Sequence, residues 1–426
     1  MMKTYAGSAS LTLLAATLPA TAFGFALCVQ ISALSWILST KYQLSLHEIG
    51  LVWAAGPVAG IIGQMAVGSI SDRTWFAGGR RRPFILMSAL LSASCLFLLP
   101  RLDLVADVLG IADILLIAAT IALVLDLGIN LGLNPARSLI ADVTRQGHAR
   151  ARGFMYMQAM SGCWGVIAYL IGALAGNDVL INIGVAILLL FTFLPCLLIK
   201  EPRALQASTP HLREMPVAAH PQLGRIWIAH GFSWLAVQSM FVYTIAFVQQ
   251  HIVAARPGEA NHALDAGQVL AIAFAIMNCV GFLVPALALP GISKRLGQVK
   301  SHAVSLAMMA LAYFGIAQFA RSPAMLYVLM VFVGIGWGAI VSLPFAIMSE
   351  RVGSARTGYF MGLFNLSVVI PQLLVTQFGR LLDTAPDKSL LFSACGATLS
   401  ISALLWTGVR EQLTMTNPEQ QAAVPG

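Results

Sequence analysis

Residues 122–143 read ALVLDLGINLGLNPARSLIADV. The run is apolar enough for a membrane interior, yet it carries Asp126, Asn130 and Arg137. A charged side chain at the centre of a membrane helix costs about 3 kcal/mol on insertion scales, so these positions demand a purpose once the segment is placed in a bilayer. The rest of the chain places it there. Of its 426 residues 58% are hydrophobic and only 10% charged, against about 25% charged in a soluble domain. Apolar runs of about 20 residues, the length that crosses ~30 Å of hydrocarbon, recur throughout.

The opening MMKTYAGSASLTLLAATLPATAFGFA could pass for a signal peptide. Its only basic residue is Lys3, and the apolar run continues to about Leu38, beyond a signal core of about 7–15 residues. It reads as the first membrane span. Twelve spans follow one another at about 17–38, 47–70, 83–100, 111–141, 154–176, 179–199, 226–250, 268–290, 302–320, 324–349, 357–379 and 389–408. The expected fold is therefore an all-α integral membrane protein of twelve transmembrane helices. The longest polar connection, KEPRALQASTPHLREMPVAAHPQLGR, divides them into six plus six. The expected units are a first half at 1–199, a cytoplasmic linker at 200–225, a second half at 226–410 and a cytoplasmic tail at 411–426.

Placing both termini and the even-to-odd connections on one side puts 18 Lys and Arg there and six on the other, with Arg137 inside a span. Basic residues collect on the cytoplasmic side, so both termini are expected in the cytoplasm. The net charge of +8 is then the ordinary positive-inside excess and calls for no nucleic-acid partner. The six cysteines lie singly within apolar runs, without metal-ligand or paired spacing, and read as small apolar residues. No cofactor or metal is expected.

The two sets of six echo one another. SISDR (69–73) is answered by GISKR (291–295), NPARSLIAD (134–142) by SLPFAIMSE (342–350), and RGFM (152–155) by RTGYFM (356–361), in the same order. Such internal repeats build carriers whose site lies at the midplane between two halves. Pseudo-symmetric six-helix halves are expected.

Spacings of 4 and 11 residues turn a helix by about 40° and 20°, so Asp126, Asn130 and Arg137 share one face, with Asn134 near its edge at about 80°. Arg137 lies about 16 Å further along the axis, too far for an ion pair within the helix. Asp126 is the only one of 17 acidic residues deep within a span. It must face water, a substrate or a proton, because an unpaired carboxylate is costly away from water; satisfaction by neighbouring hydroxyls is the alternative. The other intramembrane polar and aromatic groups are Gln30 and Trp36 in span 1, Gln64 in span 2, Gln238 in span 7, Asn278 in span 8, and Asn365 and Gln372 in span 11. Each is a candidate substrate contact or a helix–helix hydrogen bond. Asn365 and Gln372 stand two turns apart on one face. Trp53 and Trp75 suit an interfacial belt.

The stretch GQMAVGSISDRTWFAGGRRRPFI (63–85) places Gly68, Asp72 and Arg73 before Gly79, Arg80, Arg81 and Arg82. This resembles the G-x-x-x-D-R…G-R-R-R pattern of the major facilitator superfamily. The resemblance implies a cytoplasmic gate in which the acid and the arginines pair across the seam and with helix termini. Asp142, Glu350 and Arg356 read as its partners and its second-half counterpart.

VWAAGPVAG (52–60), LDLGINLGLNPARSLIAD (125–142), SLPFAIMS (342–349) and MGLFNLSVVIPQ (361–372) resemble motifs of the sucrose-transporter branch, the glycoside–proton symporters. That resemblance implies a carrier importing a glucoside, sucrose or maltose above all, with a proton as coupling ion. It implies that Asp126 couples the proton and that Arg137 is needed for coupling. His47, where that family often has an exposed histidine, reads as a loop residue. YTIAFVQQ (243–250) lacks the acid the plant proteins carry near the end of span 7, which favours one proton per sugar. The lining expected for the sugar is Asp126, Asn130, Gln30, Trp36, Gln64, Gln238, Asn365 and Gln372. A monomer in a bacterial inner membrane is expected. Alternatives are a facilitator or exporter of another small polar solute, or a non-transporting sensor; no histidine cluster, Ser/Lys dyad or paired intramembrane aspartate suggests an enzyme.

Overall fold

The computed structural model describes residues 3–60, 75, 78–144, 148–199, 201, 222–253, 265–351 and 357–411. Its α-helices, in chain order, are α1 (Lys3–Thr40), α2 (Leu46–Trp53, with helix resuming over 55–60), α3 (Arg82–Leu98), α4 (Leu102–Leu109), α5 (Ile114–Val143), α6 (His148–Ala175), α7 (Asn177–Leu198), α8 (Leu223–Val248), α9 (Ala266–Leu283), α10 (Leu289–Leu296), α11 (Gln298–Phe319), α12 (Pro323–Arg351), α13 (Thr357–Thr384) and α14 (Leu390–Thr407). Among the described residues ten helical stretches are long and apolar enough to cross a membrane, α3–α4 and α9–α10 counting as one each. The two remaining expected spans coincide with α2, described to Gly60, and α13.

Local chemistry sets the helix starts. Ser45 and Glu48 form a reciprocal capping box at α2, Asp265 and Gln268 form another at α9, and Asp113 accepts from Leu116 N–H at α5. Each satisfies donors that the first turn of a helix leaves open. In span 8, Pro285 lacks the N–H an α-turn needs, and residues Val284–Ala288 relax into a π-turn between α9 and α10.

The helix packing repeats with a displacement of six spans. In the first half α1 packs on α5, α6 and α7, and α3 on α5 and α7. In the second half α8 packs on α12, α13 and α14, and α11 on α12 and α14. The halves meet along α2 with α13 and along α6 with α9, contacts that a two-fold exchange of the halves interconverts. The echoes read in the sequence therefore have a counterpart in the packing.

One more pairing has the same symmetry. Glu201, just after α7, accepts hydrogen bonds from Arg80, Arg81 and Arg82 N–H at the start of α3, at 2.7–3.1 Å. Glu411, just after α14, accepts from Val299 N–H at 3.0 Å at the start of α11. Each carboxylate sits on a glycine. A Cβ at Gly79 would lie 2.8 Å from Glu201 Oε1, and one at Gly297, whose φ of +88° favours glycine, would lie 2.6 Å from the Glu411 carboxyl carbon.

Candidate substrate cavity

A cavity of about 420 Å³ lies between the halves. The first half contributes Gln30 from α1, Trp53 and Gly56 from span 2, and Asp126 and Asn130 from α5. The second contributes Trp234, Gln238 and Phe241 from α8, Asn278 from α9, Trp337 from α12, and Asn365 and Gln372 from α13. Six of the eight expected sugar-contact residues thus converge here: Asp126, Asn130, Gln30, Gln238, Asn365 and Gln372.

Asp126 is 7% exposed. Gln30 Nε2–H donates to its Oδ2 at 3.0 Å, and the α2 backbone presses close on the same oxygen, since a Cβ at Gly56 would stand 3.2 Å away. No Lys or Arg pairs with it among the described residues. Asn130 Nδ2 donates to the Asp126 carbonyl at 2.8 Å, so its amino group serves its own helix. On the other wall Gln372 Nε2 donates to Gln238 Oε1 at 3.1 Å, joining α13 to α8. Trp337 Nε1 donates to Asn278 Oδ1 at 3.3 Å. Helix–helix bonding and cavity lining, set against each other in the sequence reading, coincide at Gln372 and Asn278. Among the described lining residues Asp126 is the only carboxyl, and there is no Lys or Arg.

Two expectations need correction. Trp36 does not line the cavity; its ring lies against Gly267 at the start of α9, where a Cβ would come within 2.7 Å of the indole. Six residues separate it from Gln30, a rotation of about 120°, so the two cannot share a face of α1. Trp53 is a cavity residue rather than a belt residue, and its Nε1 donates to Ser35 Oγ at 2.8 Å. Among the described residues, the gate arginines have partners within the first half. Arg80 Nη2 and Arg81 Nε reach Asp142 Oδ2 at 2.8 and 3.3 Å, while the Arg80, Arg81 and Arg82 N–H groups reach Glu201. Both acceptors belong to the half that carries the loop.

Gln64, Gly68, Asp72, Arg73 and Arg356 lie outside the described residues. Glu350 falls within α12. Arg137 lies on α5, exposed and apart from the cavity, with no ion pair among the described residues.

The end opposite the basic loops is bound across the seam. Asp383 of α13 accepts from Leu46 and His47 N–H, the open first turn of α2, at 2.8 and 2.9 Å. His47 Nδ1 meets Thr376 O at 3.3 Å, and Arg380 Nε donates to His47 Nε2 at 3.2 Å. Ser35 Oγ donates to Val242 O, and Ser39 pairs with Gln249. Backbones approach closely here, for a Cβ at Gly379 would lie 2.6 Å from His47 Cα. His47, read as a loop residue, is part of this contact. The lining residues that the sequence reading missed, Trp234, Trp337, Phe241 and Tyr169, are aromatics, which occur as often against lipid as inside a bundle. Only packing distinguishes them.

Two homologous-looking halves around a midplane cavity define a carrier fold. The sequence profile of the Major Facilitator Superfamily matches residues 13–376, and the chain belongs to that family. It is 24% identical over 411 residues to the sucrose transport protein SUC4 of Arabidopsis thaliana, covering 81% of this chain and 79% of that one. It is 32% identical over 145 residues to the general alpha-glucoside permease of Schizosaccharomyces pombe, covering 32% and 26%. Among solved structures a point mutant of the nucleoside transporter NupG matches with a TM-score of 0.74 at 13% identity, covering 93% of this chain and 99% of that one. At that identity the likeness concerns the fold.

Proposed function

We propose that the chain is a proton-coupled symporter importing a glucoside, with sucrose or maltose the expected sugar, by alternating access of the cavity to the two sides. The observation that carries this reading is the composition of the cavity's described lining: one carboxyl, six amides and three tryptophans, without a Lys or Arg. Amides suit a neutral polyol, because each can donate and accept, and indole faces suit the apolar face of a sugar ring. A peptide zwitterion would call for charges of both signs. The names of the relatives, sucrose transport protein and alpha-glucoside permease, point the same way.

Asp126 supplies the coupling. A carboxylate out of water needs a partner, and no cation pairs with it among the described residues, so a proton is the partner that neutralises it. Gln30 holds one carboxyl oxygen, leaving the other to a proton or a sugar hydroxyl. With the basic side in the cytoplasm, the end bound by Asp383 faces outward, and its release admits substrate from outside. One acid implies one proton per sugar, with the carrier working as a monomer in a bacterial inner membrane.

The test is uptake of a radiolabelled sugar panel by cells expressing the carrier, with and without a protonophore. Accumulation of sucrose or maltose that collapses with the protonophore is expected. Accumulation that survives it would mean a different coupling ion, and no uptake of any glucoside would overturn the substrate class.

A further inference from the structure

The cavity's second-half wall contains a hydrogen bond unlike the others. Trp234, one of its lining residues, donates its indole N–H to His230 Nε2 at 2.9 Å. The two are four residues apart on α8, one above the other on the same helix face. His230 is 0% exposed. Its ring is stacked on Phe364 of α13, with centroids 4.7 Å apart and planes 16° from parallel, and Phe345 of α12 meets its edge at 6.2 Å. Rings from two neighbouring helices, α12 and α13, therefore pack against the imidazole of α8.

The chemistry defines what the ring does. To accept from an indole, Nε2 must carry no proton, so the hydrogen of the neutral ring is on Nδ1. His230 is thus an acceptor in the wall and not a second proton carrier. Its effect passes to the cavity through Trp234. That indole stands edge-on to Trp337 at 6.0 Å and 80°, and Trp337 is in turn met edge-on by Phe241 at 5.4 Å and held by Asn278. An indole without an acceptor could turn its N–H toward the cavity, changing the face offered to a ligand.

We propose that His230 is a positioning residue for substrate recognition: by accepting from Trp234 it fixes the indole plane against which the apolar face of the sugar rests. The sugar part of this statement rests on the function proposed above; the His230–Trp234 part does not.

The experiment uses the purified full-length carrier as wild type, His230→Gln, whose side-chain oxygen can accept, and His230→Phe, which keeps the aromatic stack but cannot. Trp234→Phe serves as the reference for difference spectra. Ultraviolet resonance Raman spectra report the hydrogen bonding of the Trp234 indole without any ligand, and sucrose and maltose counterflow in proteoliposomes reports half-saturation and maximal rate separately. His230→Phe is expected to lose the hydrogen-bonded indole signature and to raise half-saturation roughly tenfold, with the maximal rate kept within about twofold of wild type. His230→Gln should restore the signature and most of the affinity.

An unchanged indole signature in His230→Phe would overturn the assignment. So would equal loss of affinity in both variants, which would make His230 a packing residue, or a changed signature with wild-type affinity. If the wild type exchanges no sugar at all, the transport reading fails by itself, and the spectral comparison still decides whether His230 holds Trp234.

Discussion

Asp126 and Gly56 form a pair whose meaning emerges only when their helices meet. Asn is nearly isosteric with Asp and still bonds a hydroxyl, but it cannot take up and release a proton as a carboxyl does. Asp126→Asn is therefore expected to abolish uphill accumulation in proteoliposomes under an imposed pH gradient while leaving measurable counterflow. Concentrative uptake by this variant would rule out coupling through Asp126. Gly56 makes a complementary test, since its missing side chain leaves room for the carboxyl. Gly56→Val should displace Asp126 from Gln30 and reduce uphill uptake at least tenfold. Gly60→Ala, with no described atom within 4 Å of the added carbon, should retain transport. Equal uptake by both glycine variants would show that the carboxyl does not depend on the close approach of span 2. Asp126 and the motif glycines stood out in the sequence; the 3.2 Å approach between them depends on how span 2 packs on α5.

The helix ends contain the contacts that the chain order hides most. Glu201 and Glu411 cap helices that begin 119 or more and 112 or more residues earlier, so neither has the local spacing of a capping box. Loss of such a cap costs about 0.5–2 kcal/mol. Glu201→Ala and Glu411→Ala should each lower the thermal midpoint of the purified carrier by a few degrees. If only one does, the two caps are not functional equivalents. Asp383 performs the same chemistry across the seam, and there it bears on conformation instead of stability alone. Removing a cap worth about 1 kcal/mol shifts a two-state balance roughly fivefold. Asp383→Ala should thus lengthen the distance between labels placed at positions 41 and 388, read by energy transfer in detergent. An unchanged distance distribution would mean that this bond does not hold the outer end shut.

For the molecule as a whole, the division into two halves is what the proposed alternating access of one cavity to two sides of a membrane requires. The packing of α1 on α5, α6 and α7 reappears as that of α8 on α12, α13 and α14, and the halves meet along the α2–α13 and α6–α9 contacts. The cavity walls differ in chemistry: the acid belongs to the first half, and Trp234 and Trp337, with Phe241 between α8 and α12, belong to the second. On the function proposed above, a ligand touching both walls would link Asp126 to a movement of the halves.

By itself the sequence determined the spans, the sixfold offset between their echoes, the side that bears the basic residues and the one acid deep in the bilayer. These follow from hydrophobic length, charge and periodicity, which are local properties of a chain in lipid. It also brought out the amides, because polar groups are conspicuous among apolar neighbours. What only the tertiary structure decided was which aromatic rings face inward. Trp36 and Trp53 have the same chemistry and both lie in apolar spans, yet one packs on Gly267 and the other lines the cavity. Glu201 was likewise beyond the sequence: Asp142 stands out in the motif, but only helix packing within the first half sets Glu201 against the N–H groups of Arg80, Arg81 and Arg82. Apolar periodicity shows that a face is buried, but the identity of the surface opposite depends on how twelve helices pack together.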